Sequence, residues 1–339
     1  MNADIDISGV VLRTERLTLR PWRQSDLDDF YRYARVDGVG QMAGWKPHES
    51  IEESQRILDS FIARRKTFAL DRNGRAICSL GIEEYDEERF PEFSGRKCRE
   101  IGYVLSREYW GQGLMPEAVG EVIRYLFDQV GLDAIFCGHF IWNRQSGRVQ
   151  EKCGFRHYAY GRFETKAGTV EDEEFNLLTR DQWIWDRIRT VGGNKKQYLP
   201  LLLLADEQEN MIDRYLDRGT MFVVEDHGIV KAEAVVTDEG DGVAEIKSLA
   251  VAPEFQRRGY GRAMIRFLAE HYKNRFSVLQ AGTGDSPLTV PFYERCGFVR
   301  HHADRNFFPD HYDHPIFEGG IQLTDMVYLR MPLSGQDAE

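Results

Sequence analysis

The sequence predicts an α/β (α+β) chain built from two similar units, and three observations carry that prediction. Residues 245–268 read as a strand, a glycine turn and a helix. Glu245, Lys247, Leu249 and Val251 alternate with Ile246, Ser248 and Ala250 as far as Pro253, which cannot continue a ladder. Gly259 and Gly261 follow, and Ala263, Met264, Phe267 and Leu268 then recur at helical spacing. The same order returns in R-E-I-G-Y-V-L-S-R-E-Y-W-G-Q-G-L-M-P-E-A, whose helix carries Val119, Ile123, Leu126 and Phe127. A Cys-Gly-Phe triplet trails each copy at nearly the same distance, at Cys153 after Glu100 and at Cys296 after Glu245. A chain of 339 residues accommodates two such units.

The elements fall into place in order. Residues 10–21 alternate apolar and polar side chains and stop at Pro21, as an opening strand does. Ser25 is positioned to cap a helix bearing Leu27, Phe30, Tyr31 and Ala34, and a second helix over 50–65 buries Ile51, Ile57, Leu58, Phe61 and Ile62. Strands at 67–70 and 76–82 flank D-R-N-G-R, whose Asn-Gly suits a tight turn, and an acidic loop follows over 83–91. A strand at 173–178 and a Trp-rich helix at 181–189 close the first half, before V-G-G-N-K-K-Q reads as a linker. The domains are therefore expected at 10–190 and 197–334, with the boundary near Gly193. The second half opens with the apolar run 199–204, a helix at 207–216 and a hairpin turning at 226–228. A strand at 277–281, a helix start at Ser286 and Pro287, an aromatic and acidic loop over 305–318 and a last strand over 321–331 complete it.

A glycine turn that opens a helix offers unpaired amides and the positive end of the helix dipole, which suits a phosphate. Gln256, Arg257, Arg258 and Arg262 surround that turn, so a pyrophosphate fits there. A dinucleotide loop needs a third glycine where Met264 stands, which sets that reading aside.

Q-R-R-G-Y-G resembles the acyl-CoA loop of the GNAT superfamily of N-acetyltransferases, and L-A-V-A-P resembles the strand before it. The resemblance implies tandem GNAT domains, each a mixed, mostly antiparallel sheet flanked by helices. It further implies acetyl transfer from acetyl-CoA to a primary amine, with no metal required. An amine with an ordinary pKa of about 10 arrives protonated, so the reaction needs a base, an oxyanion donor and an acid for the thiolate. The resemblance makes Glu245 the base, Tyr293 in Y-E-R-C-G-F the acid, and a main-chain amide within 249–251, near Leu249 and Val251, the oxyanion donor. Glu245 on an exposed strand face and Tyr293 as a packed ring are the alternatives.

The first half resembles the ribosomal-protein-alanine type of acetyltransferase through L-R-T-E-R-L-T-L-R-P, E-I-G-Y, Y-W-G-Q-G and N-R-Q-S-G-R-V-Q-E-K-C-G-F. That likeness makes Glu100 the base and Ser146 the assistant to the thiolate. Leu105, Gln112, Gly113 and Asn143 become CoA positions, although Asn143 reads equally as a helix cap. Met115 and Gln150 stand where the second half has Gly261 and Tyr293, so the second half is expected to be the stronger acetyl-CoA site. It also resembles uncharacterised bacterial acetyltransferases through its G-T-G-x-S loop and H-Y-D tail. The rival reading makes one or both halves acyl-CoA sensors or structural supports without turnover.

Composition narrows the partners. The net charge of -11 gives no general attraction to nucleic acid or to an anionic membrane surface and suits cationic substrates. Residues 1–10 lack a basic start followed by a long apolar run, and 199–204 is too short to cross a bilayer, so a soluble, cytoplasmic chain is expected. The resemblance leaves room for a homodimer. The five cysteines show no C-x-x-C spacing, which speaks against a disulfide framework and a zinc site. Asp310, His311, Asp313 and His314 crowd one loop and suit a substrate rim better than a metal.

Overall fold

The computed structural model describes residues 1–166 and 168–333, and the chain divides into two compact units, Met1–Gln182 and Trp183–Glu339. The expected end of the second domain at residue 334 lies outside the described residues.

The first unit runs β1 (Leu12–Arg13), β2 (Thr18–Pro21), α1 (Leu27–Ala34), α2 (Ile51–Arg64), β3 (Thr67–Arg72), β4 (Arg75–Glu83), β5 (Cys98–Leu105), α3 (Leu114–Tyr125), β6 (Ala134–Phe140), α4 (Arg144–Lys152), β7 (Arg156–Glu164) and β8 (Val170–Thr179). Its strands lie in the order β1-β2-β3-β4-β5-β6-β8-β7. Within this sheet β5 and β6 pair in parallel, and the other neighbours are antiparallel. Trp22, Phe30, Tyr33 and Leu58 pack α1 and α2 onto Ala69 and Ala76 of the sheet. A second cluster of Tyr85, Phe90, Phe93, Phe136 and Phe175 encloses the other end of β6. Such aromatic burial is the main favourable term in holding helices to a sheet. Helix α1 begins at Leu27 and is not capped by Ser25, because Ser25 lies within a 3-10 turn over Gln24–Asp26 that puts Asp26 at the cap position; the Asp26 carboxylate is held by buried Arg20 at 2.7 Å, which also reaches Asp71 at 2.9 Å.

Helix α5 (Arg180–Trp185) ends sooner than its Trp-rich sequence implies. Residues 188–191 form β9 (Ile188–Val191), which pairs with the second sheet through Val191 opposite Met221. Burial of Val191 against Met221, Val223 and Tyr198 overrides the helical spacing, and the boundary falls before Trp183, not near Gly193. The stretch read as a linker is tied down, since Lys195 Nζ donates to the carbonyls of Leu216 at 2.7 Å and Gly219 at 2.6 Å.

The second unit continues with α6 (Leu199–Leu202), α7 (Glu209–Leu216), β10 (Thr220–Asp226), β11 (Ile229–Asp238), β12 (Val243–Val251), α8 (Tyr260–Tyr272), β13 (Val278–Gly284), α9 (Thr289–Arg295), β14 (Val299–Asp304), α10 (Phe307–His311), β15 (Phe317–Glu318), β16 (Ile321–Gln322) and β17 (Met326–Pro332). Its large sheet has the order β14-β17-β13-β12-β11-β10-β9, again with one parallel pair, β12 and β13. Pro291 sits in the first turn of α9, where its missing N–H is no loss. Part of the stretch read as an aromatic loop is the short α10, held by Phe308 against Ile316 and Leu323.

Candidate active sites in the two domains

Each sheet opens at its parallel pair. In the first domain the pairing of β5 with β6 covers Cys98 to Glu100 and stops at Glu100 opposite Phe136, while β5 stays paired with β4 as far as Leu105. In the second domain β12 pairs with β13 from Val243 to Ile246, and residues 248–251 remain paired with β11, with Lys247 at a bulge. The diverging strands leave main-chain groups without ladder partners, and both acidic candidates stand at the mouth of the opening: Glu100 is the last paired residue of its strand and Glu245 the last but one.

The turns beyond the opened strands match in detail. Gly113 is the N-cap of α3 at φ 74° and Gly259 the N-cap of α8 at φ 89°, a left-handed conformation that favours glycine. Structurally, therefore, Gly113 corresponds to Gly259, and Met115 to Gly261.

In the first domain the opened strand, the turn and α4 enclose a cavity of about 410 Å³. Tyr103, Leu105, Gly113, Met115, Asn143 and Ser146 line it, and Arg148 and Lys152 add positive charge. Asn143 caps α4 by accepting from the Ser146 amide at 3.2 Å, and its Nδ2 donates to Met42 O at 3.1 Å, so the cap reading holds while the residue also faces the cavity. Gln112 lies outside the lining. Its Nε2 donates to Glu108 O and its Oε1 accepts from Arg72, each at 2.9 Å, which braces the turn.

Ser146 Oγ lies 3.0 Å from Tyr103 Oη, and Gln150 Nε2 donates to Ser146 Oγ at 3.3 Å and to Gly138 O at 3.2 Å. Asn176 Nδ2 donates to Gln150 Oε1 at 2.7 Å, so the hydroxyl pair ends a buried chain of amides. Burial raises the Tyr103 phenol well above its ordinary value and keeps it protonated. The Glu100 carboxyl is pushed up to about 7 by burial first and then by the charges of Glu173 and Glu83, while the Gly138 N–H donates to it. Tyr103, which lines the cavity, and Glu173, which lies near Glu100, were not among the residues the sequence singled out. Tyr103 was visible as the last letter of E-I-G-Y, whereas Glu173 lay within an acidic run whose inward position no spacing revealed.

The second domain divides its candidates. Glu245 is buried, accepts from Lys247 Nζ at 2.6 Å and Gln280 Nε2 at 2.7 Å, and borders a polar cavity of about 510 Å³ shared with His302, Asp304, Tyr328 and Arg330. Leu249, Val251, Gly259, Gly261 and Tyr293 do not line that cavity. A β-carbon on Gly261 would lie 3.1 Å from Phe292 Cζ and 3.6 Å from Val251 Cγ2, so the Phe292 ring covers the start of α8. Tyr293 is buried between Phe292 and Phe298, with its phenol raised by burial and by Cys296, Glu233 and Glu318. Gln256 Nε2 donates to Val251 O at 3.1 Å, Arg257 takes φ 60°, Arg258 lies over the Phe255 ring and Arg262 is on α8. Among the described residues no group of three or more His, Cys, Asp or Glu stands in position to hold a metal, and no helix is long and apolar enough to cross a membrane.

An acetyltransferase (GNAT) domain model matches residues 16–156, and a second model of the same description matches 217–300. The uncharacterised N-acetyltransferase YvbK of Bacillus subtilis is 34% identical over 149 residues, covering 43% of this chain and 96% of that protein. The uncharacterised N-acetyltransferase p20 of Bacillus licheniformis is 31% identical over 179 residues, covering 50% of this chain and 97% of that one. A crystal structure of a Bacillus subtilis acetyltransferase in complex with CoA is 31% identical, covers 43% of this chain and 97% of its own, and aligns with a TM-score of 0.41. The chain belongs to the GNAT acetyltransferase family and carries two GNAT domains. It is an acyltransferase, with acetyl-CoA as co-substrate.

Proposed function

We propose that the chain acetylates a primary amine, either a small molecule or a peptide N-terminus, by direct attack on acetyl-CoA, and that the first domain holds an active centre. One observation carries this reading: the sheet opens beyond Glu100, and the opened strand brings Tyr103 into a cavity with Gly113 and Ser146, Glu100 itself standing three residues before Tyr103 and outside the cavity lining. The cavity suits the thioester arm, and the α3 N-terminus with Arg148 and Lys152 suits the phosphates. Glu100 takes a proton from the ammonium, and the free amine attacks the thioester carbonyl. A main-chain N–H of the opened strand holds the oxyanion. Collapse of the tetrahedral adduct breaks the C–S bond; the departing thiolate takes a proton from Ser146, Tyr103 resupplies that hydroxyl, and the second proton shed by the attacking nitrogen restores the Tyr103 phenol through water, so that the base carries one substrate proton and CoA leaves as the thiol.

The same chemistry in the second domain assigns the base to Glu245 and the acid to Tyr293. Two observations favour the alternative, that this domain binds acyl-CoA without turnover. Lys247 already neutralises Glu245, and Phe292 lies on Gly261.

Ser146→Ala and Tyr103→Phe test the acid. Each should lower turnover by roughly ten- to a thousandfold while acetyl-CoA affinity stays within about twofold, because the cavity walls keep their shape. Unchanged turnover in both variants, with chemistry rate-limiting, removes the hydroxyl pair from the mechanism.

A further inference from the structure

We propose that Glu173 joins Glu100 in a two-carboxylate seat for the acceptor's ammonium group, and that this seat selects primary amines with no carboxylate on the adjacent carbon. The inference rests on the acetyl-transfer reading of the first domain and names the acceptor class that reading leaves open. Both carboxylates face the space above Gly138 of β6, one from β5 and one from β8. A β-carbon on Gly138 would collide with Glu173 Oε1 and lie 3.6 Å from Glu100 Oε1, so the absence of a side chain there makes the room in which they meet. Gly138 stands just beyond the last residues that pair β5 with β6, so the pair sits where the sheet opens.

Glu173 is 7% exposed, and its Oε2 has no hydrogen-bond partner. A buried carboxylate oxygen without a donor is costly, and an ammonium, with three N–H donors and a positive charge, supplies what is missing. The groups around the pair do not fill that role. Glu83 of β4 adds a third negative charge, Cys137 of β6 is a neutral buried thiol, and the Gly138 N–H is directed at Glu100. Arg89, from the loop after β4, is the nearby cation. It lies over the Phe175 ring at 4.8 Å, donates to Arg162 O at 3.4 Å and approaches Asp86 at 3.7 Å.

Both carboxyls are pushed up to about 7, Glu173 by burial with Arg89 opposing and Glu100 by burial with Glu173 and Glu83 added. Near neutral pH the pair exchanges protons readily, so it can seat an ammonium and then accept its proton. An amino acid's own carboxylate would enter beside Glu83, Glu100 and Glu173 and be repelled. An amide, ester or peptide in its place would not.

The test uses the full chain with 13C-labelled glutamate side chains, alaninamide and alanine as probes, and the variants E100Q and E173Q to assign the two carboxyl signals. Expected are midpoints near 7 for both signals, a fall in the Glu100 midpoint in E173Q, and a shift of both signals on adding alaninamide but not alanine. E173D, which keeps the charge, should leave the Glu100 midpoint near that of the parent. An unmoved Glu100 midpoint in E173Q, or alanine and alaninamide acting alike, overturns the proposal. The alaninamide titration of the parent protein decides the matter even where E173Q fails to fold. Signals that respond as expected in a protein that releases no thiol from acetyl-CoA would instead defeat the acetyl-transfer reading and leave an ammonium site.

Discussion

Replacing Glu100 with glutamine should lower turnover at neutral pH by about 10²- to 10⁴-fold, the range for a positioned general base. The amide keeps the size of the side chain and can still accept the Gly138 N–H, but it cannot take a proton from an ammonium. An amine of ordinary pKa is almost wholly protonated at pH 7, so raising the pH should restore part of the lost rate as free amine accumulates. The parent's rate should rise with pH through a limb near 7, where Glu100 ionises, and that limb should be absent from the variant. Stability should respond in the opposite sense. Because the folded-state value is raised from 4.5 to about 7, the folded protein binds the proton more tightly than the unfolded chain, and stability falls as pH rises through that window. Thermal melts of parent and variant across pH 5 to 8 check this, and the variant should lose less stability than the parent as pH rises from 5 to about 7, with the difference level above that. A pH–rate profile parallel to the parent's at similar height would assign the base elsewhere.

Gly113→Val should weaken acetyl-CoA binding at least tenfold. Gly113 takes φ 74° at the N-cap of α3, and a β-branched residue there is strained by about 1 to 3 kcal/mol. Relief of that strain moves the amides that face a phosphate, and charge-assisted hydrogen bonds are worth about 1.5 to 3 kcal/mol each. Gly259→Val imposes the same backbone conflict at φ 89° in the second domain. Turnover should fall further in the Gly113 variant. Calorimetric titration with acetyl-CoA, after circular dichroism shows both variants folded, gives the comparison. Loss of turnover in Gly259→Val with Gly113→Val intact would make the second domain the enzyme.

Much of this was legible in the chain. Period-two strands ending at proline, glycines opening helices and the repeated Cys-Gly-Phe gave both sheets and the position of each turn. The strand at 188–191 was split between an expected helix ending at 189 and an expected linker from Val191, because neither a helical spacing of tryptophans nor a glycine pair says anything about a strand edge left open by Met221 and Val223. The expected advantage of the second half rested on its two loop glycines, three nearby arginines and Tyr293, against Met115 and Gln150 in the first. Sequence could not show that Phe292 lies on that glycine, that Lys247 occupies Glu245, or that Gly113 already plays the role of Gly259. Glu173 escaped notice for a related reason: it and Glu100 lie on the two strands that flank β6 and both face Gly138, a placement with no local signature.

The most direct test of acetyl transfer is mass spectrometry of the amine alongside thiol release from acetyl-CoA, using the full chain over a panel that includes alaninamide, a polyamine and an alanyl peptide. One acetyl group added to an amine for each thiol released is the expected result. Acetyl-CoA bound with no thiol released, or thiol released with every amine unchanged, would contradict it.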